Sequence, residues 1–423
     1  MSATESSILW ENNLTYQMPQ PLSVASDRVY KKQWFQNRNY SDTDQTMICD
    51  WNSGNNFIDT ANSFLVFDVK VNANEGDQVD YDVNFGTTRE GSGKGLVTNI
   101  FRNVKVTHRS GTLLSRTERT NVWAKIKFNY QMSRDWTSTV GKAMECVADF
   151  SGTVAAPAPV QRYAVPLSML DPFFSPQDGK MIPPQIASGI RVEIELEKKE
   201  TALTLEAAGT ESVSGYQVQN IYFLTSEVTL VDSAVAAISR EASQTGLEYT
   251  YTQVFTNPVT VPSSSSNVNV QVRKGVAYAL TAYGRQFDEA LLSTQTADSL
   301  AGLSYLEDQT QSWRLGSQQY PTLPIDSSIE AYMSAVQVFD KLKNTGVPCS
   351  VSPVEFKGSN SLIAVSLERD SALSLSGSAV NNSRVLEAQL TFSTPYGSPS
   401  QLLLFLEYTS VCRATLENAD VKS

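Results

Sequence analysis

Residues 312–343 read SWRLGSQQYPTLPIDSSIEAYMSAVQVFDKLK. This stretch decides the fold, because it sets one well-signalled helix inside a half-chain that otherwise reads as strands. Ser327 and Glu330 have the S-x-x-E spacing of a capping box, and Ile329, Tyr332, Met333, Val336 and Phe339 follow at helical intervals. Lys341 and Lys343 suit the negative end of the helix dipole, and Gly346 and Pro348 suit its exit. Upstream, the two prolines of Tyr320-Pro-Thr-Leu-Pro324 remove amide donors, which excludes both helix and central strand. The segment is therefore predicted to run strand, extended corner, helix.

Strand patterns surround it. In the second half they fall at residues 247–256, 268–272, 275–283, 313–318, 361–368, 385–391 and 401–414. In the first half, residues 64–71 are β-branched and aromatic, and residues 79–85 alternate apolar and polar, the mark of a strand with one buried and one wet face. Residues 100–108, 190–198 and 218–230 add further strands, with turns at Ser110-Gly111 and Gly215. Val122, Trp123, Ile126 and Tyr130 set a helix near 118–133. Seven prolines make 151–189 a long irregular loop, and residues 232–242 read as a short helical linker. Each half is thus strands, one principal helix, then strands again. This is a duplicated architecture without a residue-for-residue repeat. It is all-β: two tandem antiparallel jelly-roll sandwiches with a few short helices. An α/β enzyme fits badly, since a parallel sheet needs a helix between nearly every pair of strands.

Composition agrees with this reading. The chain has 423 residues, enough for two domains, and only 18% of them are charged. The expected division is an amino-terminal arm at 1–60, a first jelly roll at 61–235 and a second at 236–423. The arm reads as irregular, yet Trp10, Tyr16, Tyr30, Trp34, Phe35, Tyr40 and Trp51 give it too much aromatic surface for a solvated tail. Arg28, Lys31, Lys32 and Arg38 interleave with those rings, a pattern seen in nucleic-acid contacts, but stems packed on apolar neighbours explain it as well. A net charge of -11 argues against broad nucleic-acid binding, and no specific nucleic-acid site is identified. Cys49, Cys146, Cys349 and Cys412 lie far apart and read as free buried thiols. No apolar run is long enough to span a membrane, and the first residues lack the pattern of a secretion signal, so a soluble protein is expected. The sequons at Asn13, Asn39 and Asn381 then read as chance matches.

The order strand, Arg-Leu-Gly-Ser, Tyr-Pro-x-x-Pro, then Glu-Ala-Tyr opening a helix, over residues 314–332, resembles the second jelly roll of double jelly-roll viral major capsid proteins. Asn99-Ile-Phe-Arg-Asn-Val-Lys-Val, Gly111-Thr-Leu-Leu and the Trp123 helix resemble the first. The likeness in layout covers residues 63–415. It points to the virophage and Polinton-like type within the adenovirus and tectivirus lineage. The resemblance implies a homotrimeric, pseudo-hexagonal capsomer tiling an icosahedral shell in the virion, assembled inside the host cell. It also implies partners: further copies of the chain, a penton protein, and an internal membrane or minor capsid proteins. Loops at 134–189 and 284–312 would form towers or subunit contacts, and the arm would tie neighbours together beneath the shell.

The chemistry-bearing residues support no catalytic reading. His108, the lone histidine, could serve a triad only as its base, lacks a G-x-S-x-G nucleophile, and is expected to face solvent from a strand. Glu90-Gly-Ser-Gly-Lys-Gly95 fails the P-loop spacing and reads as a hairpin loop. Glu193, Glu195 and Glu197 alternate with apolar residues and are placed together on a wet strand face rather than paired for glycoside hydrolysis. No catalytic, cofactor-binding or metal-ligating residue is assigned, no cofactor is implied, and no enzyme activity is expected. The alternative function is a carbohydrate-binding or carbohydrate-active β-sandwich using Trp10, Trp51, Trp123, Trp136 and Trp313 as stacking platforms. A single-jelly-roll RNA-virus coat protein would carry a more basic arm.

Overall fold

Strand after strand pairs antiparallel in the computed structural model of the chain. It describes residues 25–43, 46–73, 81–85, 95–145, 150–152, 160–177, 179–205, 213–288, 300–339, 349–369, 376–415 and 418–423. The first sandwich comprises β1 (Ala25–Trp34), β2 (Thr46–Asp50), β3 (Phe57–Ala73), β4 (Phe101–Thr107), β5 (Leu113–Glu118), β6 (Gln161–Pro166), β7 (Arg191–Leu196) and β8 (Val213–Leu230). Its sheets have the orders β1-β8-β3-β6 and β2-β7-β4-β5.

The second sandwich comprises β9 (Leu247–Val261), β10 (Asn267–Val272), β11 (Val276–Asp288), β12 (Thr310–Leu315), β13 (Gln318–Ile325), β14 (Ile363–Ser366), β15 (Leu386–Thr391) and β16 (Ser400–Ala414). Its sheets run β9-β16-β11-β14 and β10-β15-β12-β13. Each strand of the second sandwich occupies the position of the strand eight earlier. The duplication expected from the sequence is therefore a duplication of topology: two jelly rolls of two sheets each.

Helix α1 (Thr120–Tyr130) follows β5, α2 (Asp232–Gln244) joins the sandwiches, α3 (Ser328–Val338) follows β13, and α4 (Pro353–Lys357) precedes β14. Strict alternation explains the cores. Val268, Val270 and Val272 of β10 point inward against Leu402, Leu404 and Leu406 of β16, while the residues between them on β10 face solvent. The β4–β5 turn falls at Ser110-Gly111 as expected, with Gly111 at φ 86°, a conformation open to glycine without strain.

Several sequence expectations are corrected. Residues 25–60 are not irregular: β1 and β2 belong to the first sandwich, and residues 39–41 pair with β8. β1 hid from pattern reading because it is an edge strand exposed along nearly its whole described length, so it shows no apolar alternation. Residues 320–324 are no corner but part of β13, an edge strand on which prolines are tolerated because one row of amides has no ladder partner. The 151–189 loop contains β6, also an edge strand. Residues 284–288 and 310–312, read as loop, belong to β11 and β12. In α3 the Ser327 hydroxyl accepts from the Glu330 amide as the capping pattern predicts, and Val336 and Phe339 are buried as expected, but Ile329 and Met333 are exposed while Ala331, Ala335 and Val338 are buried. A fully closed capping box stands at Ser352 and Glu355 of α4. Lys341, Lys343, Gly346, Pro348, residues 90–94, Trp10, Asn13 and Cys146 lie outside the described residues.

Candidate functional site

The most heavily built polar site lies between the sandwiches, where α1 of the first seats on the outer face of the β9-β16-β11-β14 sheet. Every residue of α1 is buried. Its amino end is held by Glu197, which accepts from the Arg119 guanidinium and the Asn121 amide at 3.1 Å each. Glu197 is buried, which corrects its placement on a wet face; Glu193 and Glu195 are half-buried and meet Lys105 and Asn103 across the strand pair. From the seated face, Val122 and Ile126 join Tyr283 and Phe405 in one apolar cluster.

Within that cluster sits a buried ion pair. Lys127 Nζ stands 2.8 Å from Glu407 Oε1, and Tyr283 OH donates to the same carboxylate at 2.6 Å and Trp123 Nε1 at 3.3 Å. Burial raises the Glu407 pKa, but the Lys127 charge and these hydrogen bonds outweigh it and hold the carboxyl below its ordinary value. Further along α1, Lys125 Nζ donates to Leu300 O at 3.3 Å, and Asn129 Nδ2 to Asn360 Oδ1 at 2.9 Å. Arg285, fully buried in β11, donates to the same Asn360 oxygen at 2.8 Å.

The edge of β9 is closed by β5 and the segment beyond β6. Tyr251 OH and Gln253 Nε2 both donate to Leu114 O, Thr256 Oγ1 donates to Glu118 O at 2.9 Å, and Tyr249 OH donates to Phe173 O at 2.9 Å. Beneath these tyrosines Asp171 is fully buried and accepts from Phe173 N and Thr117 Oγ1 at 2.8 Å each. Burial pushes its carboxyl up to about 6.

Sequence reasoning missed Lys127, Glu407, Arg285 and Asp171. The available signal was a charge inside an otherwise apolar pattern: two lysines between Trp123, Ile126 and Tyr130, and Glu407 within Leu-Leu-Leu-Phe-Leu-Glu-Tyr.

The singled-out residues do not converge. His108 is 3% exposed, not solvent-facing, with Nδ1 2.8 Å from Ser110 Oγ and Nε2 3.1 Å from Gln185 O; burial lowers its pKa. It lies just past β4, where the hairpin turns inward. Trp51, Trp123 and Trp313 are core side chains rather than stacking platforms, and Trp136 is partly buried against the first core. Of the basic cluster, Arg28 pairs with Asp59 at 2.8 Å and Lys31 with buried Glu227 at 2.6 Å, while Lys32 and Arg38 lie over the exposed Trp34 ring. Cys49 and Cys412 are buried and Cys349 half-buried, all free. Burial pushes the Cys49 and Cys412 thiols to about 12. Among the described residues no group of three or more His, Cys, Asp or Glu could hold a metal ion, and no helix is long and apolar enough to cross a membrane. A cleft of about 660 Å³ lies between α2 and the start of β9 and is lined by Ile238, Glu241, Tyr249 and Arg413 among others.

No protein-family model and no curated protein matches the sequence. Solved structures do match over nearly the whole chain. The capsid protein in the quasi-atomic PBCV-1 virus capsid aligns with a TM-score of 0.66 at 11% identity, covering 94% of this chain and 96% of that one. The Faustovirus major capsid protein aligns at 0.64 and 9% identity, covering 98% and 94%. The mavirus major capsid protein aligns at 0.52 and 11% identity, covering 100% and 95%. The likeness runs over both sandwiches at identities too low to reflect anything but the fold. By its architecture this chain is a double jelly-roll protein, similar in fold to these capsid proteins.

Proposed function

We propose that the protein is the major capsid protein of a virus, located in the virion, whose copies associate as homotrimeric, pseudo-hexagonal capsomers that tile an icosahedral shell. The observation that carries this reading is the end-to-end likeness of both sandwiches to capsid subunits, with 94% or more of this chain covered in each of the three comparisons above. The chain divides at α2 into two jelly rolls of similar size, and the buried contacts of α1 hold them as one rigid tile. Its work is structural, not catalytic, and its partners are further copies, a penton protein at the five-fold positions, and an internal membrane or minor capsid proteins within. Since β1 and β2 are built into the first sandwich, the role of a tie running beneath the shell falls to residues 1–24.

Light scattering on the purified protein should give about 140 kDa, three chains of 46.5 kDa, or larger shells. Electron microscopy of that species should show a pseudo-six-fold outline. A stable monomer that binds glycans would overturn the proposal in favour of a carbohydrate-binding sandwich, a reading that the burial of Trp51, Trp123 and Trp313 already weakens. Removing residues 1–24 should leave capsomers intact and impair shell assembly.

A further inference from the structure

Helix α2 carries the chain from one sandwich to the other and lacks what normally holds a helix of its length. It has 13 residues, no side chain caps its amino end, and Ala242 is its one buried residue. A helix this short is marginal in water, so its persistence asks for something packed against its apolar side. That side carries Ala234, Val235 and Ile238, each half-buried. Ile238 lines the cleft of about 660 Å³, and Phe57, Met181 and Leu247, half-buried as well, line it with buried Tyr249 and Pro183.

The chemistry of the cleft selects an apolar occupant. The two cations that line it are engaged: Arg413 Nε donates to Thr245 O at 2.6 Å, and Lys180 is not free. Glu241 and Glu248 are exposed, which puts their charge at the rim. A slot with apolar walls, two aromatic rings and a polar rim suits an extended, proline-bearing segment of chain better than an anion.

Such a segment joins the fold beside the cleft. β1 begins at Ala25, which pairs with Leu230, and a single residue separates Leu230 from α2. The sequence shortly before β1 reads Tyr16-Gln-Met-Pro-Gln-Pro-Leu22. It has no charge, it offers Tyr16, Met18 and Leu22 as apolar anchors, and its two prolines lower the entropy lost when it is held extended. Reach is sufficient. Ile238 lies eight residues beyond Leu230, about 12 Å at the helical rise, and the three steps from Ala25 back to Leu22 span about 10 Å.

We propose that residues 16–22 seat in the cleft beneath α2 of their own chain, with Tyr16, Met18 and Leu22 against Phe57, Met181, Ile238 and Leu247. The seat gives α2 the packing it lacks and sets the direction in which residues 1–15 leave the subunit. It goes beyond the capsomer reading, on which only the destination of residues 1–15 rests.

Hydrogen exchange and cross-linking on the full chain test it. Met18→Asp with Leu22→Asp should speed exchange of the amides of α2 and of residues 247–249 about tenfold, while Val140→Glu, at an exposed apolar residue elsewhere, should leave them unchanged. Ile238→Asp should have the same effect, and combining it with the arm pair should add little, because one contact can be lost only once. A photoreactive p-benzoylphenylalanine at position 16 should cross-link to peptides containing Met181 or Ile238, a readout that survives if Ile238→Asp unfolds α2. In a mixture of isotopically light and heavy chains, each linked pair should carry a single label. Light–heavy pairs would assign the segment to the cleft of another copy and overturn the proposal, as would cross-links to other surfaces or arm variants that leave α2 exchange unchanged. A chain that proves monomeric at every concentration overturns the capsomer reading and leaves the seat standing, since each readout lies within one chain.

Discussion

Lys127 and Glu407 stand 280 positions apart in sequence and 2.8 Å apart in space, and each belongs to a different sandwich. The pair lies beside an apolar cluster with each side chain only about a tenth exposed, so each charge gives up most of its water and is offset by the other. The relationship is the chemical lock between the two jelly rolls.

Removing one partner leaves the other buried and alone. Lys127→Met and Glu407→Leu should each cost about 3 to 5 kcal/mol in chemical denaturation, whereas the two together should cost less than either. A simple sum of the two single losses in the double variant would show that the pair is not coupled.

Glu407 and Asp171 should pull stability in opposite directions with pH. The Glu407 carboxyl is held below its ordinary value, so its contribution is present above the unfolded pKa and fades as pH falls through the folded one. Asp171 is raised from 3.8 to about 6, so its native state favours the proton, and stability is lost as pH rises from near 4 through 6. Asp171→Asn should therefore gain on the wild type across that window, by up to about 3 kcal/mol above pH 6. Denaturation midpoints at pH 4 and pH 7.5 check it; an unchanged difference between the two would refute the assignment.

Two glycines of the second sandwich should respond oppositely to alanine. A Cβ on Gly377 would lie 2.5 Å from Ala279 O and from Tyr278 C, backbone atoms of β11 that cannot swing aside, and the expected loss is about 1 to 3 kcal/mol. Gly275 has nothing within 4 Å of that position, so Gly275→Ala should be neutral or gain about 0.5 kcal/mol by restricting the unfolded chain. Thermal melts of the two variants should diverge.

The closed capping box of α4 gives a smaller effect. Ser352→Ala removes the hydroxyl that accepts from Glu355 N and should cost about 1 kcal/mol, while Ser352→Asp should retain most of the stability. Equal losses in both would assign the effect to the Ser352 surroundings rather than to the cap.

The strands with one buried face were legible in the sequence because burial imposes a two-residue period on them, as in β10. The cap of α3 was legible because Ser327 and Glu330 act within one turn. What local pattern could not reach was anything settled by a distant partner or by a sheet edge. β1 and β13 lack alternation because they sit at edges, and so they read as an arm and a corner. His108 and Glu197 look like ordinary strand polars, and only the packing of Gln185, Arg119 and Asn121 around them makes them interior.

By itself the sequence determined that there would be two β-sandwiches in tandem with a helix after the early strands of each, since spacing, turn residues and caps are properties of neighbouring residues. Only the tertiary structure decided that α1 would be wholly buried while α3 keeps Ile329 and Met333 in solvent. The reason is geometric. The chain folds its first sandwich onto its second, and that act covers one helix and one sheet face while leaving side chains of their counterparts exposed.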